Sequence, residues 1–290
     1  MYAVSNAQLW HRRLGHLSRK MLELMQWHNG NGMIFDGTIA DCDACAIGKS
    51  KKLAHSKKAW HAGIIRPFQL CYGNLMGPFT PEAYGGFKYV RKITDQFTRW
   101  TTVYVLEDKS YALESFHLFV TSTVIPCGDR VILWRTDKEE EYTSKAFKQC
   151  CLETGITQEV SATNTPQQVG VSERVARTRF SMVRCLFVDR RLPPKLWEEL
   201  MLTAFYLCNR MPHFGLDMET PFKRLYNKEV TLSHLKIIGG RACFHIKDAN
   251  NLEPKLWEEM LCGFSEDSYR IRNPKTRRVV ESRNVTFIET

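Results

Sequence analysis

A chain of 290 residues, 43% of them apolar, can bury a sizeable core and build two or three domains. Its formal net charge of +10 fits either a soluble protein that is merely basic or one with a polyanionic partner, nucleic acid before membrane, because each Lys or Arg placed on a phosphate releases a condensed counterion. No run of about 18 apolar residues occurs, and polar residues follow Met1-Tyr2-Ala3-Val4 where a signal peptide would be apolar. An intracellular protein with no membrane partner is therefore expected, its ten cysteines being thiols or metal ligands rather than disulfides.

The positive charge gathers at the start, with ten Lys/Arg against four Asp/Glu in residues 1–66 and 21 against 19 in residues 67–230. Trp10-His11-Arg12-Arg13-Leu14-Gly15-His16-Leu17 leads into an amphipathic helix around Met21, Leu22 and Met25. Cys42-Asp43-Ala44-Cys45 follows. His11 and His16 with Cys42 and Cys45 offer two imidazoles and two thiolates, a closed tetrahedral set for a structural Zn²⁺. His28, His55 and His61 are alternative ligands that lack this spacing. Lys49, Lys51 and Lys52 open a basic stretch that reads either as a solvated linker or as a set of phosphate contacts. Arg66-Pro67 marks the end of this first module, residues 1–66.

Residues 67–230 read as a mixed α/β layer. Strands are expected over Phe68–Leu75, Phe87–Ile93 and Trp100–Val105, a helix over Lys109–Val124, and a short buried strand over Val131–Trp134. A helix over Ser144–Thr154, a strand at Glu159-Val160-Ser161 and a long helix over Val171–Phe187 follow, with Trp197 and Phe205 as packing residues on a further helix. Residues 231–290 alternate as short strands, beginning with Leu235–Gly240, and predict a small antiparallel β module. Its basic cluster, Arg270, Arg272, Lys275, Arg277 and Arg278, is a candidate for contact with a nucleic-acid backbone.

The apolar run Val131-Ile132-Leu133-Trp134 ends in Arg135-Thr136-Asp137, and 35 residues separate Asp137 from Glu173, which sits in Thr165-Pro166-Gln167-Gln168-Val169-Gly170-Val171-Ser172-Glu173-Arg174. These words resemble the copia (Ty1-like) retrotransposon integrases, with their Thr-Pro-Gln-Gln-Asn-Gly-Val-x-Glu-Arg segment. Trp10 to His16 and Cys42 to Lys49 likewise resemble the HHCC zinc module that precedes such cores. The resemblance covers nearly the whole chain and implies an RNase H-like core. It also implies DNA as partner, no small-molecule substrate, a homo-oligomer, and strand transfer on Mg²⁺ (or Mn²⁺) held by three acids. Asp137 and Glu173 take the second and third positions, and Arg174 and Arg177, three apart on the same helix, are candidates for DNA contact. The first acid belongs where this chain has Tyr72-Gly73-Asn74-Leu75-Met76-Gly77-Pro78, so Asn74 stands in its place. Further departures are Lys138-Glu139-Glu140 for Asn-Gly-Gly after the second acid, Val169 for Asn, and Arg91 and Lys92 in a strand the family keeps apolar. Asn lacks the charge and second oxygen that bridge two dications, so the resemblance implies impaired catalysis or an inactive DNA-binding or assembly protein, as a polyprotein fragment or a stand-alone remnant.

Overall fold

The computed structural model describes residues 6–28, 36–39, 41–49, 63–136, 144–160, 166–245, 256–273, 276 and 278–288. For residues 27–28, 160, 166–177, 244–245 and 256–258 it describes the backbone alone. The chain forms two compact units. One comprises Lys52–Thr178 and Cys208–Val230, the other Met1–Lys51, Arg179–Leu207 and Thr231–Thr290.

The first unit is built on a five-stranded sheet of β1 (Leu70–Met76), β2 (Tyr89–Asp95), β3 (Thr101–Leu106), β4 (Leu133–Thr136) and β5 (Thr157–Val160), in the order β3-β2-β1-β4-β5. β1, β2 and β3 form an antiparallel meander, whereas β4 runs parallel to β1 and β5 parallel to β4. Parallel neighbours need long crossovers. In the described stretches these carry helices at Ala112–Phe119 and Lys145–Thr154, the latter capped by the Ser144 side chain and ended by Gly155 in the left-handed region. This mixed sheet, three antiparallel strands followed by two parallel ones, is the RNase H-like arrangement.

Alternation along β1 decides which residues meet the core. Cys71 and Leu75 are buried on one face, and Tyr72, Asn74 and Met76 are half-buried on the other. Gly73 is required on the core face, because a Cβ there would lie 2.3 Å from the ring of buried Trp134. Trp134 packs edge-to-face on Phe116, with Phe147 and Phe68 in the same cluster. Arg91 enters this apolar cluster by donating to Ser115 Oγ at 3.1 Å, its guanidinium 5.5 Å from the Trp134 ring and 5.8 Å from that of Phe147.

Asp95, at the end of β2, ties the sheet to its turn. Its carboxylate accepts from the amides of Phe68 (2.9 Å) and Thr98 (2.8 Å) and from Thr98 Oγ1 (2.6 Å). Burial raises its pKa, and the Thr98 and Phe68 bonds pull it back.

In the second unit, α1 (Asn6–Arg13), α2 (Arg19–His28) and α3 (Asp43–Gly48) precede the C-terminal part of the long helix α6 (Pro166–Arg190), the numbers α4 and α5 belonging to the crossover helices above. Small residues set this packing. A Cβ on Gly48 would lie 2.6 Å from Cys185 Sγ, and one on Gly15 2.7 Å from Met182. Arg12 pairs with Asp189 at 3.1 Å, and Arg184 donates to the Gly48 carbonyl, also at 3.1 Å.

A second five-stranded sheet joins β6 (Arg241–His245), β7 (Leu256–Phe264), β8 (Tyr269–Arg272), β9 (Val279–Ser282) and β10 (Val285–Ile288) in the order β10-β6-β7-β8-β9, with every neighbour antiparallel. α7 (Trp197–Asn209) meets it through Thr203, which donates to the Cys262 carbonyl, and through Glu199, held by Arg270 in two bonds of 2.7 Å. Trp197 and Phe205 are buried packing residues, as expected. Leu235–Gly240 is not the expected strand. Leu235, Ile237 and Ile238 are buried, but Gly239 turns into the left-handed region, and regular pairing begins only at Arg241.

Asp95→Ala leaves the Phe68 and Thr98 amides without their acceptor in the interior. At about 1–3 kcal/mol for each of these two amides, a loss of roughly 2–6 kcal/mol is expected from denaturant midpoints, and a loss below about 1 kcal/mol contradicts the role of Asp95. Because the native carboxyl holds its proton more tightly than the unfolded one, the wild-type contribution of Asp95 is greatest at low pH. It declines as pH rises from 3.8 through the native pKa.

Candidate metal centre and core acid positions

The turn after α1 brings two histidines to one point. Gly15 and His16 both adopt positive φ, at 61° and 65°, which reverses the chain and turns His16 back toward His11. Cys42 lies in extended backbone immediately before α3, and Cys45 falls in its first turn. The ligand atoms of His11, His16, Cys42 and Cys45 all lie within 4.8 Å of one another. His16 Nδ1 is 3.3 Å from His11 Nε2 and 3.2 Å from Cys42 Sγ, and Cys45 Sγ is 3.4 Å from His11 Nε2. For a tetrahedral ion with bonds of about 2.0–2.1 Å to nitrogen and about 2.3 Å to sulfur, the edges are about 3.3 Å between nitrogens and about 3.6 Å between nitrogen and sulfur. These three separations are close to the edges of a single coordination shell, and the cluster can hold one metal ion.

The surroundings fix the donors. His11 Nδ1 lies 2.7 Å from the Leu17 carbonyl, which can only accept, so the proton sits on Nδ1 and the Nε2 lone pair faces the cluster. The ammonium of Lys49 is bonded to the His16 carbonyl and so closes the loop from behind. Burial, ahead of the neighbouring Cys45, raises the Cys42 thiol, and a cation bound between the sulfurs opposes that effect.

The core positions are distributed differently. Asn74 lies in β1, and its register partner on β2 is Lys92. Asp137 is the residue after β4 and lies outside the described residues, as do Lys51 and Lys52. Glu173, Arg174 and Arg177 lie on α6, where the backbone alone is described. Two other acids of the sheet are already committed. Asp95 is held at the β2–β3 turn, and Glu159 accepts from Arg135 at 2.6 and 2.9 Å. Asn74 brings one neutral oxygen where a pair of dications needs a bridging carboxylate, and β2 sets a lysine opposite it, so the described strands do not fit a two-metal site. The basic cluster of the β module also changes character. Arg270 is engaged by Glu199 and Glu281, and Arg272 is 5% exposed, which leaves Arg278 of the three described members on the surface.

Residues 2–50 match the GAG-pre-integrase domain, and residues 241–290 the retroviral polymerase SH3-like domain. Across 289 residues, 98% of its length, the chain is 32% identical to the retrovirus-related Pol polyprotein from transposon TNT 1-94 of Nicotiana tabacum, covering 22% of that protein. It is 26% identical over 287 residues to the Pol polyproteins from transposons RE1 and RE2 of Arabidopsis thaliana, covering 97% of this chain and 19% of each. It thus spans about a fifth of the length of these relatives. Among solved structures, a simian T-cell lymphotropic virus intasome in complex with the PP2A regulatory subunit B56 gamma aligns at 12% identity and TM-score 0.44, covering 79% of this chain and 84% of that one. The HTLV-2 integrase catalytic core in complex with magnesium aligns at 15% and 0.42, covering 55% and 97%. Over nearly its whole length the chain is similar to one region of retrovirus-related Pol polyproteins. Its resemblance is to the copia-type retrotransposon integrases, from the His/Cys segment through the core to the trailing β module. Among the described residues no helix is long and apolar enough to cross a membrane.

His11→Ala or Cys42→Ser removes one of four donors and is expected to weaken metal binding about a hundredfold or more. Metal content after dialysis, with thermal unfolding of the same samples, checks this. A chelator should reproduce the destabilisation in the unmodified chain, and unchanged metal content in either variant contradicts the site.

Proposed function

We propose that this chain is an integrase-derived DNA-binding protein whose N-terminal module is folded around Zn²⁺, and whose ancestral activity, metal-dependent strand transfer for DNA integration, is silenced in the core. The observation that carries this reading is Asn74. It occupies the β1 position of the first acid with a neutral amide, and no other described carboxylate on the sheet is free to replace it. Losing one bridging carboxylate removes several kcal/mol of charge stabilisation, about a thousandfold or more in rate. Two imidazoles and two thiolates in a closed set are the chemistry of structural zinc, and the clustered donors favour that ion over the hard cations of the core chemistry. DNA binding is supported by the net charge of +10 and its concentration in residues 1–66, with Lys49, Lys51, Lys52, Arg174 and Arg177 as the residues offered to phosphate. Retained assembly into homo-oligomers and a nuclear location complete the reading, in keeping with a derivative that keeps the binding surfaces of an integrase.

The test is end joining on a duplex that mimics an element end, with Mg²⁺ or Mn²⁺, alongside DNA-binding anisotropy over a range of salt. The unmodified chain should join no ends while binding DNA with an affinity that falls steeply as salt rises. End joining at the rate of an active integrase overturns the loss of catalysis, and absence of DNA binding at low salt overturns the binding role.

A further inference from the structure

We infer that Lys92 is a built-in cation standing where the core once held metal, so that restoring the acid at position 74 does not by itself restore metal binding. This rests on reading Asn74 as the position of the first acid. In the antiparallel register of β1 and β2, Asn74 lies directly across from Lys92. Side chains so opposed project from the same face, with Cβ atoms about 4.5–5.5 Å apart. Lys92 is 1% exposed and among the largest fully buried side chains, so its ammonium is enclosed within this face rather than reaching water. The face is the one from which a β1 acid would address the ions. Tyr72, two residues before Asn74, is paired across the sheet with Arg135, and Cys71, Gly73 and Leu75 point to the opposite, apolar side.

The adjacent cation makes the contrast plain. Arg91, one residue earlier, points into the aromatic core and is held by Ser115, Trp134 and Phe147. It is a packing residue on the far side of the sheet. Lys92 faces the side of Asn74 and Tyr72, where another described cation, Arg135, is paired with Glu159. Relative to an acid opposite an apolar residue, Asn74 with Lys92 shifts this pair of positions by two units of charge toward positive. Both changes act in one direction. An ammonium held a few ångströms from a dication repels it, and the same ammonium satisfies carboxylates that would otherwise need one.

The experiment measures Mn²⁺ binding by calorimetry on the full chain, saturated beforehand with zinc. It compares the unmodified protein with Asn74→Asp, Lys92→Met and the double variant, each checked for folding by thermal unfolding. Lys92→Gln in the Asn74→Asp background removes the charge while keeping a polar end, and guards against misfolding of the methionine variant. Only proteins changed at both positions should bind Mn²⁺, at least tenfold more tightly than either single variant, and a further Glu173→Gln should abolish that binding. If Asn74→Asp alone binds as tightly as the double variant, Lys92 is no obstacle and the inference falls, while Asn74 as the lesion stands. If the folded double variants bind no Mn²⁺, the inference is likewise overturned. If the unmodified chain binds Mn²⁺ in a manner sensitive to Glu173→Gln, both the inference and the proposed loss of the core site fail.

Discussion

The N-terminal segment depends on four atoms meeting at one point. His11 and His16 are brought there by a reversal through two consecutive left-handed residues, and Cys42 and Cys45 by the start of a six-residue helix. Neither piece is long enough to be stable alone, since isolated helices shorter than about 12–15 residues are marginal in water. An ion held there by the four side chains would turn two weak local preferences into one closed shell, and its binding free energy would become folding free energy. The remaining support comes from α6, where Met182 and Cys185 meet the chain at Gly15 and Gly48 and Asp189 meets Arg12. Both glycines lie where a side chain would push the module off that helix.

The two cations of β2 obey the same rule in different ways: a buried charge must be answered. Arg91 is answered by a hydroxyl and two aromatic faces, which suits a planar, weakly hydrated guanidinium. Lys92 is a compact ammonium buried on the other face of β2, across from Asn74.

Much of this was legible in the residues. Period-two alternation placed β1, β2 and β3 to within a few residues, and the short buried run before Asp137 became β4, two residues further on than expected. The grouping of the four side chains was legible because each half has its own spacing, His-x4-His and Cys-x2-Cys, which needs no knowledge of the fold. The opposition of Asn74 and Lys92 was not legible. It is a matter of register between strands, which a basic residue in an otherwise apolar strand does not reveal. Leu235–Gly240 misled because its apolar residues are buried, as a strand's are, while Gly239 and Gly240 bend the backbone away from regular pairing. Arg270 and Arg272 misled in the opposite sense. A basic cluster in the sequence suggests a charged surface, yet one is engaged by Glu199 and Glu281 and the other is buried.

The central claim is that one of two ancestral metal sites survives. The most direct measurement is an element-resolved metal count on a single preparation, equilibrated with zinc and manganese together and then freed of loose ions by gel filtration. The account predicts one zinc per chain and no manganese. Retention of manganese at one or two ions per chain, or the absence of zinc, would contradict it.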